Sequence, residues 1–326
     1  MKKIILLVAA VFILVACKGP MSMVNLGKRT ESVGLNPDVR AKEHVMKLKE
    51  FKIEDITKNL EVGVPHHKDD ILEYGMRYVF DNGAEATIGD GMLYYYNASA
   101  KYHVDYLNSL IDYTSVVDEE GLRICNGFFT KIGVSNLKLV GTHFADVDTI
   151  IDKINGGEDI MIGKDGSGVN IREKLMDIKI FKFAKSLGGL NIAGDGVNLD
   201  NDKRLLESEV YIIINGDSII FARMEFLPEE IIKSRDANII TEEVAREILT
   251  KEYAKTDGNN DLKIENTELT LITKPEKIMN HLKKSNIEYS PAYKFVIDDS
   301  YEKGGEVYKY SKTIYIDALK GKVLGL

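Results

Sequence analysis

The chain has 326 residues, with 43 Lys and Arg against 51 Asp and Glu and a formal net charge of −8. That acidic balance argues against nucleic acid or an anionic lipid surface as a partner, since both recruit basic patches. The length allows two ordinary domains with real cores, and two cysteines, Cys17 and Cys125, are too few for a disulfide framework.

The N-terminus is built as Lys2-Lys3, ten apolar residues from Ile4 to Ile13, and then Leu14-Val15-Ala16-Cys17. A charged start, a short apolar run and small residues before a cut predict a secretory signal over 1–16. The run is too short to span a bilayer core of roughly 30 Å as a helix. Leu14-Val15-Ala16-Cys17 resembles the lipobox of bacterial lipoproteins. The resemblance implies cleavage before Cys17, acylation of its thiol and usually of the new amine, and placement on the cell envelope facing away from the cytoplasm. More than one acyl chain suffices for stable anchoring, at roughly 0.8 kcal/mol per buried methylene. Residues 17–40 carry Gly19, Pro20, Gly27, Ser32, Gly34 and Pro37 and are expected to form a flexible tether.

From Ala41, near-helical spacing of Val45, Leu48, Phe51 and Ile56 predicts a helix through Leu60. Strands are expected at Met76–Phe80, Glu85–Ile88 and Met92–Tyr96, punctuated by Asn82-Gly83 and Gly89-Asp90-Gly91. A helix over His103–Tyr113, strands at Gly127–Val134 and Leu137–Val140, and a short helix from Asp146 to Ile154 follow. Leu175–Leu187 reads as helical, although its β-branched residues leave that open. A Gly- and Asp-rich stretch, 188–202, places a domain boundary near Asn201, with the domains drawn as 41–207 and 208–326.

Beyond it, Glu209–Ile214, Asn215-Gly216-Asp217 and Ser218–Glu225 predict a β-hairpin. Thr241-Glu242-Glu243 opens a helix with Val244, Ile248 and Leu249 inward. Strands are expected at Leu262–Ile264, Leu269–Thr273, Ala292–Asp298 and Val307–Asp317, then a turn into Lys322–Leu326. The reading is α+β: two domains, 41–207 and 208–326, of antiparallel sheets with helices packed on one face.

The hairpin strand ending near Glu225, the helix opening Thr241-Glu242-Glu243-Val244-Ala245, the strand Pro291-Ala292-Tyr293-Lys294-Phe295-Val296-Ile297, and Tyr315-Ile316-Asp317-Ala318 with Gly321-Lys322-Val323-Leu324 resemble a PepSY-type domain. The same order is similar to the C-terminal domain of YycH/YycI-type regulators, where the strand commonly begins Pro-Ala-Trp. The resemblance implies a non-catalytic module that binds another envelope protein, a protease or a sensor. The chain has no His-Glu-x-x-His, and a lipid anchor stands where those regulators have a membrane helix. Asp317 and Gly321 are expected to form a structural turn, the carboxylate accepting backbone amides and the glycine supplying a positive φ.

Other chemistry-bearing groups are sparse. Cys125 beside Phe128-Phe129 is expected to be a buried hydrophobe. His66-His67 with Asp69 and Asp70 is the densest set of metal-ligand types, yet adjacent histidines on a strand point to opposite faces. Asp257, Asn259, Asp261 and Glu268 fall on loop positions 1, 3, 5 and 12 of a calcium-binding hand, but Leu262 occupies the position that needs Gly. Tyr94-Tyr95-Tyr96 turns at least one ring outward, a candidate contact surface. No nucleophile, base and orienter assemble, and no cofactor is assigned. The reading is a lipid-anchored binding or regulatory protein whose partner is another envelope protein or a peptide. The alternatives are a solute- or peptide-binding lipoprotein with its site between the domains, and a metal-dependent hydrolase using His66 or His67.

Overall fold

The computed structural model describes residues 41–60, 62–71, 75–100, 103, 113–114, 117–155, 175–193, 203–205, 208–257, 262–274, 276–277, 285–303 and 306–324. The fold is α+β and mostly antiparallel. Strands β2 (Pro65–Ile71), β3 (Gly75–Phe80), β4 (Glu85–Gly89) and β5 (Met92–Tyr96) form a meander. It continues through β11 (Ser218–Met224), β10 (Glu209–Asn215), β7 (Ile178–Leu187) and β6 (Leu137–Ala145), and β8 (Leu190–Asn191) pairs with β7 to complete a nine-stranded sheet. A second sheet runs β12 (Pro228–Asp236), β1 (Lys42–Leu48), β15 (Asn286–Lys303), β16 (Glu306–Asp317) and β17 (Lys322–Leu324), with β13 (Lys263–Thr273) on β15. Tyr289 of β15 pairs with both His44 and Thr273, so β13 lies along one edge of β15 while β1 and then β16 share the other. Short strands β9 (Lys203–Arg204) and β14 (Glu276–Lys277) pair with each other.

Both faces of the nine-stranded sheet carry an apolar cluster in its central strands, and helices pack on each. Helix α1 (Ile53–Asn59) brings Ile56, and α2 (Glu119–Lys131) brings Cys125, Phe128 and Phe129, against Phe181, Phe183, Ile212 and Ile214. Helix α3 (Val147–Asn155) sets Ile150 and Ile151 against Ile178, Ile180, Ile213 and Phe221 on the opposite face. The expectation of helices on one face is therefore corrected for this sheet. In the second sheet, α4 (Glu242–Asp257) buries Ala245, Leu249 and Tyr253, at i, i+4 and i+8, on Tyr293, Phe295, Ile297, Ile314 and Ile316. Among the described residues, no helix is long and apolar enough to cross a membrane.

Several expectations change on the structure. The boundary at 207/208 cuts through a sheet, because β10 pairs with β7 and β11 with β5, while β1 from the N-terminal part lies between β12 and β15. Pairing partners far apart in sequence decide this, and composition along the chain carries no trace of them. The helix drawn from Ala41 to Leu60 is strand β1 followed by α1; His44, Met46 and Leu48 are buried with period two. Gly127–Val134 belongs mostly to α2, whose inward face Gly121, Cys125, Phe128 and Phe129 has helical spacing. Leu175–Leu187 contributes β7, as its β-branched residues favour. In α4, Ala245 faces inward and Val244 is 40% exposed. Of the helix drawn over 103–113, all but His103 and Tyr113 lie outside the described residues.

The two sheets meet at a backbone joint. Lys49 N donates to Leu227 O (2.8 Å), Leu227 N to Gly91 O (3.0 Å) and Gly91 N to Lys49 O (2.7 Å), closing a ring of three hydrogen bonds. Gly91 has φ 70°, and a Cβ there would come within 3.2 Å of Leu227 N, so the joint requires glycine. Phe226, where the chain crosses between sheets, has φ 45°. Its carbonyl accepts from Tyr289 Oη (3.3 Å) and Ser208 Oγ (3.4 Å). Met46, Leu48, Ile192, Leu271, Ile287 and Tyr289 form a cluster of their own, with Leu187, Leu190 and Phe226 packed against it.

Candidate functional site

One face of the nine-stranded sheet carries a lateral row of side chains in register. Asp69 pairs with Arg77, Arg77 with Thr87, Thr87 with Tyr94, Tyr94 with Arg223, Arg223 with Tyr211, Tyr211 with Lys182, and Lys182 with Gly141. Because successive side chains on a strand alternate faces, residues directly opposite across a ladder stand on the same face. Rings and cations therefore alternate. Arg223 Cζ lies 5.8 Å from the Tyr94 centroid and 5.9 Å from that of Tyr211. Lys182 Nζ lies 5.4 Å from the Tyr211 ring and 5.8 Å from that of Tyr113. These are cation–π distances. Gly141 makes the last contact possible: a Cβ there would stand 2.7 Å from Tyr113 Cβ.

Carboxylates flank the row. Glu209 is buried, ion-paired with Lys182, and accepts the Tyr211 hydroxyl. Glu225 accepts from Arg223 Nη2 at 2.9 Å. Its side chain keeps 16% exposure, and the surrounding protein pushes its carboxyl up to about 8, while the adjacent guanidinium favours the ionised form. Farther along, Arg77 Nε donates to Glu85 Oε2 (2.6 Å). Burial, then the hydrogen bond with Glu85, raises the Tyr96 phenol. Each cation of the row thus has its own carboxylate, and Tyr94, Tyr211 and Arg223 remain half-buried.

Leu14, Val15, Ala16 and Cys17 lie outside the described residues, as do Asn259 and Asp261. Glu268 stands in β13 and accepts from Asn191 Nδ2 (2.7 Å), so a strand occupies the place of a calcium hand's exiting helix. His66 and His67 part company on β2: His66 Nδ1 lies 3.1 Å from Asp81 Oδ1, and His67 Nε2 lies 2.8 Å from Asp69 Oδ1. Among the described residues, no group of three or more His, Cys, Asp or Glu is placed to hold a metal ion. Cys125 is fully buried, and burial pushes its thiol up to about 12. At the C-terminal turn, Gly321 has φ 62°, and Asp317 Oδ1 accepts from Leu319 N (2.8 Å) and Lys320 N (3.2 Å).

Of the row, sequence analysis singled out Tyr94, through the triple tyrosine, and Asp69. It missed Arg223, Tyr211 and Lys182. The available signal was polar residues at alternate positions, Glu209 with Tyr211 and Arg223 with Glu225, inside strongly apolar hairpin strands.

No protein-family model matches the chain, and no curated protein shows significant similarity to it. Its fold is similar to that in the crystal structure of an uncharacterized protein from Eubacterium rectale, with a TM-score of 0.55, 13% identity, and 87% of this chain and 84% of that chain covered. At that identity the likeness concerns the fold.

Proposed function

We propose that the chain is a lipid-anchored, non-catalytic protein of the bacterial envelope, acylated at Cys17, that binds another envelope polypeptide through the tyrosine–arginine row. The row itself carries this reading. Tyrosine and arginine are the residues enriched in interface cores and hot spots. Stacking between rings and cations holds their rotamers, so little side-chain entropy is lost when a partner docks. Glu209 on Lys182 and the Glu225 carboxyl on Arg223 already engage the two central cations, so few donors are left for a phosphate or an anionic membrane, which favours a polypeptide surface. Of the elements that carry the PepSY-like resemblance, the helix α4, the strands β15 and β16 and the Asp317–Gly321 turn lie together in the second sheet, whereas the hairpin strand ending near Glu225 belongs to the nine-stranded sheet. A regulatory role towards a protease or sensor fits that resemblance.

The test is photocrosslinking in intact envelopes with a photoreactive residue at position 94, compared with position 64, where Val64 is 80% exposed. A discrete crosslinked protein from position 94 alone is expected. No specific product, or the same products from both positions, would refute the docking face. A solute site between the sheets is less supported, since the joint is filled by Met46, Leu48, Leu271 and Tyr289.

A further inference from the structure

Strand β12 is placed unlike the others. It pairs only with β1 among the described residues, and all of Glu229–Asp236 is exposed on both faces. Two bulges, between Val45 and Met46 and between Lys47 and Leu48, interrupt the ladder. Both flanks are fixed independently: Leu227 is buried in the joint, and Ile240 N donates to Ala318 O at 2.9 Å. The strand can therefore lift off without opening a core, a property of low-stability local units.

Its one seam contains a histidine. His44 stands between Ser234 of β12 and Tyr289 of β15, is 8% exposed, and has Nδ1 2.9 Å from Ser234 Oγ. The charged groups around it are Lys42 and Glu43 on β1, Lys233, Arg235 and Asp236 on β12, and Glu288 with the Tyr289 phenol on β15. Each carboxylate already has a cation: Glu43 has Arg235, Asp236 has Lys42 at 3.5 Å, and Glu288 has Lys274 at 3.4 Å. Tyr289 donates to the Phe226 carbonyl.

We propose that β12 is an acid-released strap: protonation of His44 unfastens it from β1 and exposes the β1 edge. The inference is independent of the docking face. An imidazolium at His44 would be desolvated, close to Lys42 and without a counter-charge of its own, and burial followed by Lys42 lowers its pKa. In the lifted state the imidazole regains an ordinary value of about 6.5. The open state then binds more protons than the closed one, so opening is favoured as pH falls below that value toward the closed-state pKa.

Hydrogen exchange of the full chain in detergent tests this. After correction for intrinsic rates, the β12 amides that bond to β1 should exchange faster near pH 5 than near pH 7.5, while those of β10 and β15 stay unchanged. His44→Gln should abolish the difference. Equal protection of β12 at both pH values, or a rise that persists in His44→Gln, overturns the proposal. If that variant does not fold, the His44 ring titration in the unmutated protein decides: its midpoint must coincide with that of β12 opening, and a mismatch overturns it equally.

Discussion

Gly321→Ala measures how much the C-terminal turn depends on glycine. Gly321 has φ 62°, and an added Cβ would meet Ile248 Cδ1 of α4 at 2.9 Å. The left-handed conformation costs a residue with a Cβ about 1–2 kcal/mol. Reduced freedom of the unfolded chain returns about 0.4–1 kcal/mol. The Ile248 methyl is the far end of a flexible side chain, so it yields at the cost of some packing on the α4 core. The net expectation is a loss of about 1 kcal/mol, or about 2–4 °C in Tm for a body of this size. Gly188→Ala is the control, because Gly188 has φ 59° with nothing within 4 Å. Both variants incur the backbone cost, and their difference reads the Ile248 contact. Urea denaturation should use the body from Ala41 onward, since a 208–326 fragment would strip β10 and β11 of β7 and β5. An unchanged or raised midpoint for Gly321→Ala would refute the reasoning. Asp317→Ala should also destabilise by about 1 kcal/mol or more, as two amides lose their acceptor.

Gly121→Ala should cost about 1–3 kcal/mol or more by overpacking, because its Cβ would stand 2.3 Å from the Phe181 ring and 2.9 Å from Ile214 Cδ1; equal thermal stability would mean that α2 can shift off the sheet freely. Cys125 should resist a thiol reagent at pH 8 in the native protein and react on unfolding, and fast native labelling would contradict its burial. His103 is buried between Ser99 O (3.1 Å) and Met176 (3.2 Å), and burial lowers its pKa. Its stabilising contribution is complete above about pH 6.5 and is lost as pH falls toward its folded value, so the acid-side drop in Tm should shrink in His103→Gln. Cys17→Ser should release the protein from membranes without lowering the melting temperature of its body; persistent attachment would place the anchor elsewhere.

What the sequence settled is local. Turn chemistry at Asn82-Gly83 and Asn215-Gly216 located hairpins, because positive φ is a property of a few residues whatever surrounds them. Thr241-Glu242-Glu243 declared the start of a helix through its cap, although the periodicity turned Val244 to the wrong face, and the α+β class followed from element types alone. Periodicity misled where a segment was short: β1 passed for a helix, since three or four apolar residues fit either period. Tertiary structure decided what depends on distant partners. It placed β1 between β12 and β15, put β10 and β11 in the centre of the nine-stranded sheet, and aligned Tyr94, Arg223, Tyr211 and Lys182 in one row. Register across strands separated by more than a hundred residues is fixed by packing of both sheet faces, and no local pattern encodes which strands will meet.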